Sequence, residues 1–120
     1  MTILADSELI KLRDALRQFA GERDWEQFHS PKNLAAALSV EAAELLEHFQ
    51  WLTEAESKNL SAESRHAVSL EAADVLLYLI RLSDKLDIDL IAAAQEKVHL
   101  NAKKYPIEKA RGSSKKYDQL

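Results

Sequence analysis

Helix breakers are scarce in this chain, and they are widely spaced. Gly21, Pro31, Pro106 and Gly112 are the only glycines and prolines among 120 residues. From Pro31 to Pro106 the sequence runs without either. A strand-rich fold needs turn formers at short intervals, so this spacing predicts long helices. The length fits one domain. There is no cysteine, which excludes disulfides, thiolate zinc sites and cysteine nucleophiles. The N-terminus has no basic stretch followed by an apolar core. No segment approaches the roughly 18 continuous apolar residues of a membrane span. A cytoplasmic protein with no membrane partner is expected. The formal net charge is −4, which argues against coating a nucleic acid polymer.

Hydrophobic spacing marks four helices. From about residue 7 to residue 20, Leu9, Ile10, Leu12, Leu16, Phe19 and Ala20 form a stripe. Asp6 or Ser7 is its expected cap and Gly21 its expected stop. Residues 22–33 are polar but carry Trp25, Phe28 and His29, and read as an ordered loop. Ser30 before Pro31 has the form of an N-cap followed by an N1 proline. The second helix is expected over residues 31–52, with Leu34, Leu38, Ala42, Leu45, Leu46 and Phe49 on an arc of ~120°. Glu41 lies at one edge of that arc, with His48 and Glu44 a little further round and Glu47 pointing outward. Residues 53–63 read as a connection.

The third helix is expected over residues 62–86. Asp87 or Asp89 caps a fourth, which runs to about Lys104 and stops before Pro106. Its apolar side is Leu90, Ile91, Ala94 and Val98. Lys97, Asn101 and Lys104 share one face, and Tyr105 follows. Four helices with short connections predict a four-helix bundle, covering residues 1–106. Residues 107–120 read as a polar, loosely packed tail.

Two acidic pairs interrupt the apolar helices. Glu41-Ala-Ala-Glu44 lies in the second and Glu71-Ala-Ala-Asp74 in the third. Spacing of i, i+3 places each pair on one helix face, about 60° apart. Between Leu70 and Leu82 the third helix is apolar nearly all round, save for Glu71, Asp74, Tyr78 and Arg81 within an arc of ~80°. A helix apolar on most faces is buried, and an unpaired buried charge is costly. Two readings follow. One is a buried ion-pair network, for instance Asp74 with Arg81 or with a lysine elsewhere. The other is a cage of four carboxylates for a hard divalent cation. Oxygen ligands without convergent histidine or cysteine suit Mg²⁺ or Mn²⁺ better than zinc. Because Mg²⁺ commonly shares its coordination with phosphates, the cage points towards phosphate chemistry. The lysines and tyrosine of the fourth helix, with Tyr78, could hold phosphate oxygens. Trp25, Phe28, His29 and Trp51 could form a flat slot suited to a nucleobase.

These residues resemble the all-α nucleoside triphosphate pyrophosphohydrolases of the MazG type, a superfamily that also holds dimeric dUTPases. Its signature is ExxE, a spacer, then ExxD. Here it reads Glu41-Ala-Ala-Glu44 and Glu71-Ala-Ala-Asp74. The specificity lies in the surrounding segments: residues 23–34 (RDWEQFHSPKNL), 44–51 (ELLEHFQW), 74–78 (DVLLY) and 97–106 (KVHLNAKKYP) look like the dCTP pyrophosphatase branch. The match covers residues 7–106. The resemblance implies a Mg²⁺-dependent enzyme that cleaves a (deoxy)nucleoside triphosphate between its α and β phosphates. The substrate would be dCTP or 5-modified dCTP, removed as house-cleaning of the nucleotide pool. Glu41, Glu44, Glu71 and Asp74 would be metal ligands, and Glu41 or Glu44 would also orient or deprotonate the attacking water. Tyr78, Lys97, Asn101, Lys104 and Tyr105 would contact phosphates or sugar. Trp25, His29 and Trp51 would line the base site. A homodimer or a homotetramer built as a dimer of dimers would follow.

Three rivals are weaker. Phosphoribosyl-ATP pyrophosphohydrolase shares the fold and chemistry, but the Trp25-to-His29 and Trp51 segments argue against it. A di-iron bundle needs two Glu-x-x-His pairs in its core; Glu63-Ser-Arg-His66 has that spacing once, outside the apolar block. A non-catalytic helical interaction module leaves Glu71 and Asp74 on an apolar helix unexplained.

Overall fold

The computed structural model describes residues 3–120, with side chains from Glu8 onward. The described residues are helical and contain no strand. Their elements are α1 (Ile3–Glu22), a 3₁₀ turn (Glu26–Phe28), α2 (Pro31–Glu47), α3 (Glu54–Ser57), α4 (Ala62–Lys85), α5 (Leu90–Lys104), α6 (Ile107–Ala110) and a second 3₁₀ turn (Tyr117–Gln119). The four long helices are the four expected, and among the described residues no helix is long and apolar enough to cross a membrane.

The helix ends show where local chemistry overrides the hydrophobic pattern. The backbone at Asp6 and Ser7 is already helical, so neither caps α1. Gly21 does not stop it either. The helix closes at Asp24, whose φ of 55° is left-handed. Asp24 N–H donates to the Gly21 carbonyl at 3.2 Å and Trp25 N–H to the Ala20 carbonyl at 2.9 Å. This is a Schellman ending, and the apolar contact that accompanies such endings is the edge-to-face meeting of Trp25 with Phe19 at 5.6 Å. Aspartate tolerates the left-handed region because its short side chain bonds locally; here Gln27 Nε2 donates to both its carbonyl and its carboxylate.

Ser30 accepts from Asn33 N–H at 3.2 Å, and Pro31 opens α2, as expected. The helix ends at Glu47, not at residue 52. From His48 on, the backbone bonds tighten to shorter turns, Phe49 N–H to the Leu46 carbonyl and Leu52 N–H to the Phe49 carbonyl, both at 2.9 Å. The connection that follows is ordered by a capping box between Thr53 and Glu56. Ser61 caps α4.

α4 is the centre of the first compact unit, which extends to Asp87. It packs against both α2 and α1. Its buried residues are Ile80, Arg81 and Ser83; Ala20 on α1 and Leu34 on α2 are buried with them. Arg17 on α1 grips Asp84 on α4 through two parallel bonds of 2.6 and 2.7 Å. Much apolar surface stays uncovered: Leu46 is 62% exposed, Leu70 57% and Leu76 40%.

Residues 88–120 form the second compact unit. Asp89, of the two candidates, caps α5 by accepting from Ala92 N–H at 3.0 Å. Residues 107–120 are not featureless. They carry α6 and the last 3₁₀ turn, and Tyr117 meets the Tyr105 ring edge-to-face at 6.2 Å, with the Lys104 ammonium 4.9 Å from its ring centre.

Candidate active site

The site is built where α2 faces α4. The inward face of α2 is Leu34, buried, with Leu38, Glu41, Glu44 and Leu45 half-buried, while Ala42 and Leu46 are exposed. The face is thus rotated towards the acids relative to the stripe read from the sequence. Glu41 and Glu44 lie on the packed side of the helix, and Glu71 meets them from α4. Carboxylate oxygens of Glu41, Glu44 and Glu71 lie within 4.8 Å of one another. Glu41 Oε2 and Glu71 Oε2 are buried and have no hydrogen-bond partner.

Like charges this close disfavour full ionisation. Glu41 is pushed above the ordinary carboxylate range, first by the facing Glu71 carboxyl, with which it can share a proton. Contact with Glu44 works the other way, and the charge of Asp74 adds to the rise. Glu44 is pushed up in turn by Glu41. Asp74, one turn further along α4, is exposed and stands apart from the three-carboxylate cluster. It lines a cavity of about 370 Å³ instead.

That cavity lies between α1, the Trp25–His29 segment and α4. Its walls are largely apolar, with Phe19, Trp25, His29, Asp74, Tyr78 and Arg81 among the lining side chains. Trp25 touches Phe19 on one side and the His29 ring on the other, at 6.1 Å, so the aromatics form a chain fixed by the end of α1. Trp51 is not among the lining residues; it is 86% exposed on the turn after α2. Lys97, Asn101 and Lys104 are exposed on α5 and Tyr105 ends it, all within the second unit.

Arg81 is the residue whose role the sequence did not reveal. Its stripe neighbour Asp74 is not its partner. The buried guanidinium instead pairs with Glu26 of the 3₁₀ turn, approaches Asp84 at 3.8 Å, and donates from Nε to His29 Nδ1 at 3.2 Å. Lys85 binds the other oxygen of Glu26. The ion-pair network anticipated as one reading of the stripe therefore exists, but at its far end. Glu71 is left among acids. Glu26 is held below the ordinary carboxylate range by Lys85 and Arg81, and His29 is held below the usual histidine range by burial and then by the Arg81 charge. The available signal was the i, i+4 pair Arg81 and Lys85, which needed an acid from another element.

Comparisons with known proteins bear on the family and the fold. The family model described as MazG-like matches residues 36–120. The chain belongs to the MazG-like family. This MazG-like chain is 46% identical over 105 residues to dCTP pyrophosphatase 1 of Homo sapiens, covering 86% of itself and 62% of that protein. It is 40% identical to dCTP pyrophosphatase 1 of Bos taurus over 118 residues, covering 97% of itself and 70% of that relative. The crystal structure of a pyrophosphatase from Archaeoglobus fulgidus superposes on it with a TM-score of 0.78 at 42% identity, covering 82% of the MazG-like chain and 93% of the other. The all-α MazG-like fold read from the sequence is thereby borne out.

Proposed function

We propose that this chain is a Mg²⁺-dependent nucleoside triphosphate pyrophosphohydrolase acting on dCTP or 5-modified dCTP. The products are the monophosphate and pyrophosphate. The observation that carries the reading is the convergence of Glu41, Glu44 and Glu71 with two buried, unpartnered oxygens. Relatives named dCTP pyrophosphatase support the substrate.

The donor set fits a hard cation. It is all oxygen, it is crowded with negative charge, and two of its atoms lack any donor. Glu41, Glu44 and Glu71 would hold Mg²⁺, or Mn²⁺ in its place, with Asp74 as a fourth ligand. When bound, the ion offsets phosphate charge and acidifies a coordinated water. The chain's own residues do the rest. Glu41 or Glu44 would orient the attacking water and take its proton. Tyr78, Lys97, Asn101, Lys104 and Tyr105 bind phosphates or sugar. Trp25 and His29, which line the cavity, would hold the base, and Trp51 is assigned to it by the family resemblance alone. Water adds across the α–β anhydride, and the bridging oxygen leaves with pyrophosphate.

The uncovered apolar surface of α2 and α4 supports a homodimer or a dimer of dimers. Residence in the cytoplasm, beside the nucleotide pool, follows from the same reading. The test is pyrophosphate release with Mg²⁺ from dCTP, 5-methyl-dCTP, dTTP, dUTP and phosphoribosyl-ATP. We expect cytosine nucleotides to lead. Absence of release from every member of the panel would refute the enzyme, and preference for phosphoribosyl-ATP would replace its substrate.

A further inference from the structure

We infer that Arg81 is a positioning residue: it fixes the tautomer of His29, so that the cavity between α1 and α4 presents an N–H donor to a base carrying a hydrogen-bond acceptor. This rests on the functional reading above for the nature of the ligand, but not for the tautomer.

The chemistry is forced by the donor inventory. A guanidinium donates from all its nitrogens and accepts at none. Arg81 Nε lies 3.2 Å from His29 Nδ1. Nδ1 must therefore be the acceptor, and a neutral imidazole that accepts there carries its proton on Nε2. The doubly protonated ring would set N–H against N–H beside a fixed positive charge. Every other end of the arrangement is also held. Arg81 is 4% exposed, and its fork is occupied by Glu26 and flanked by Asp84. Glu26 is pinned a second time by Lys85. The imidazole stands edge-on to Trp25, and its backbone N–H closes the 3₁₀ turn on the Glu26 carbonyl at 3.2 Å. A flip of the ring would break the bond to Arg81. Nε2–H, on the edge of the ring away from Arg81, is thus the donor carried by a ring that lines the cavity.

A fixed donor selects an acceptor. On cytosine the edge atoms of that kind are the 2-carbonyl oxygen and the unprotonated ring nitrogen N3. A histidine with two exchanging tautomers would accept from a base N–H as readily as it donates, and would discriminate less.

Three measurements test this. Long-range proton–nitrogen NMR of the wild type should show His29 protonated at Nε2 and bare at Nδ1; the reverse assignment overturns the inference without reference to activity. In kinetics with dCTP, Arg81→Met should raise KM about five- to tenfold, the worth of one neutral hydrogen bond, with kcat nearly unchanged. His29→Gln, which keeps an N–H in nearly the same place, should be milder than His29→Phe. In the His29→Phe background Arg81→Met should have no further effect on KM, whereas a merely structural arginine would give additive losses. With 3-deaza-dCTP, which lacks the ring-nitrogen acceptor, and 2-thio-dCTP, whose sulfur accepts weakly, one of the two should bind about fivefold less well to the wild type and equally to His29→Phe. Both binding like dCTP would overturn the inference. Absence of turnover of any nucleotide would overturn the functional reading and the ligand named here, and the NMR result would still decide the tautomer alone.

Discussion

Glu71 is where sequence and structure bear most directly on each other. It was legible as an acid on an apolar helix, and it is half-buried with one oxygen lacking a partner. Its environment gives a signed prediction. Glu71→Gln removes the carboxyl that pushes Glu41 up, so the metal-free variant should melt at a higher temperature than the wild type. If the site holds Mg²⁺ as proposed, the ion should stabilise the wild type and not this variant, since only a folded site binds it. Thermal melts with EDTA and with Mg²⁺ read both effects. Pyrophosphate release from dCTP should fall on the order of 100-fold or more, because ligands of a metal matter at least as much as their supporting residues. A Glu71→Gln protein that keeps both its Mg²⁺ shift and its activity would remove the cation from the site. Arg81 shows the limit of pattern reading at this scale. Its spacing placed it in line with Glu71 and Asp74, but a helical wheel cannot say which element covers each end of a stripe.

The four long helices were legible because breakers are rare and apolar residues recur at helical spacing. Their ends were less so. Gly21 looked like a stop, yet Asp24 supplies the left-handed residue. The apolar pattern of α2 continued through Phe49 and Leu52, while the backbone had already tightened after Glu47. Capping is decided by two or three backbone hydrogen bonds, which periodicity does not record. One contact between elements carries its own pH dependence. Asp84 on α4 is held below the usual carboxylate range by the Arg17 fork from α1. A depressed folded pKa stabilises above the unfolded value, about 3.9, and that contribution is lost as the pH falls through the lower folded value. Asp84→Asn should therefore cost about 1–2 kcal/mol near neutral pH. Its urea midpoint should converge with that of the wild type as the pH falls below the folded value. A gap that persists unchanged in acid would show that Arg17 and Asp84 are not the cause.

At the scale of the molecule, the fully buried apolar side chains among the described residues are Ala20, Leu34 and Ile80. A chain of this length normally closes a larger core than that. The sequence marked α4 as apolar around its girth, and the structure leaves Leu70 and Leu76 of that girth open. What covers them could not be read from one chain, because a periodic stripe looks the same against an intramolecular neighbour or a second copy. If copies cover them, Leu70→Glu should lower the mass seen by sedimentation equilibrium at micromolar concentration and lower the melting temperature with it. A variant that keeps the wild-type mass would place Leu70 outside any such contact.

The turn at Asp24 also acts as a length standard. Each residue of an α-helix advances its exit by about 100°. Adding one residue to α1 between Phe19 and Glu22 would bring the chain out on a different side. Trp25 and His29 would then swing away from α4 even though neither had been altered. The distance in sequence from Phe19 to His29 is therefore a quantity that insertions and deletions must conserve.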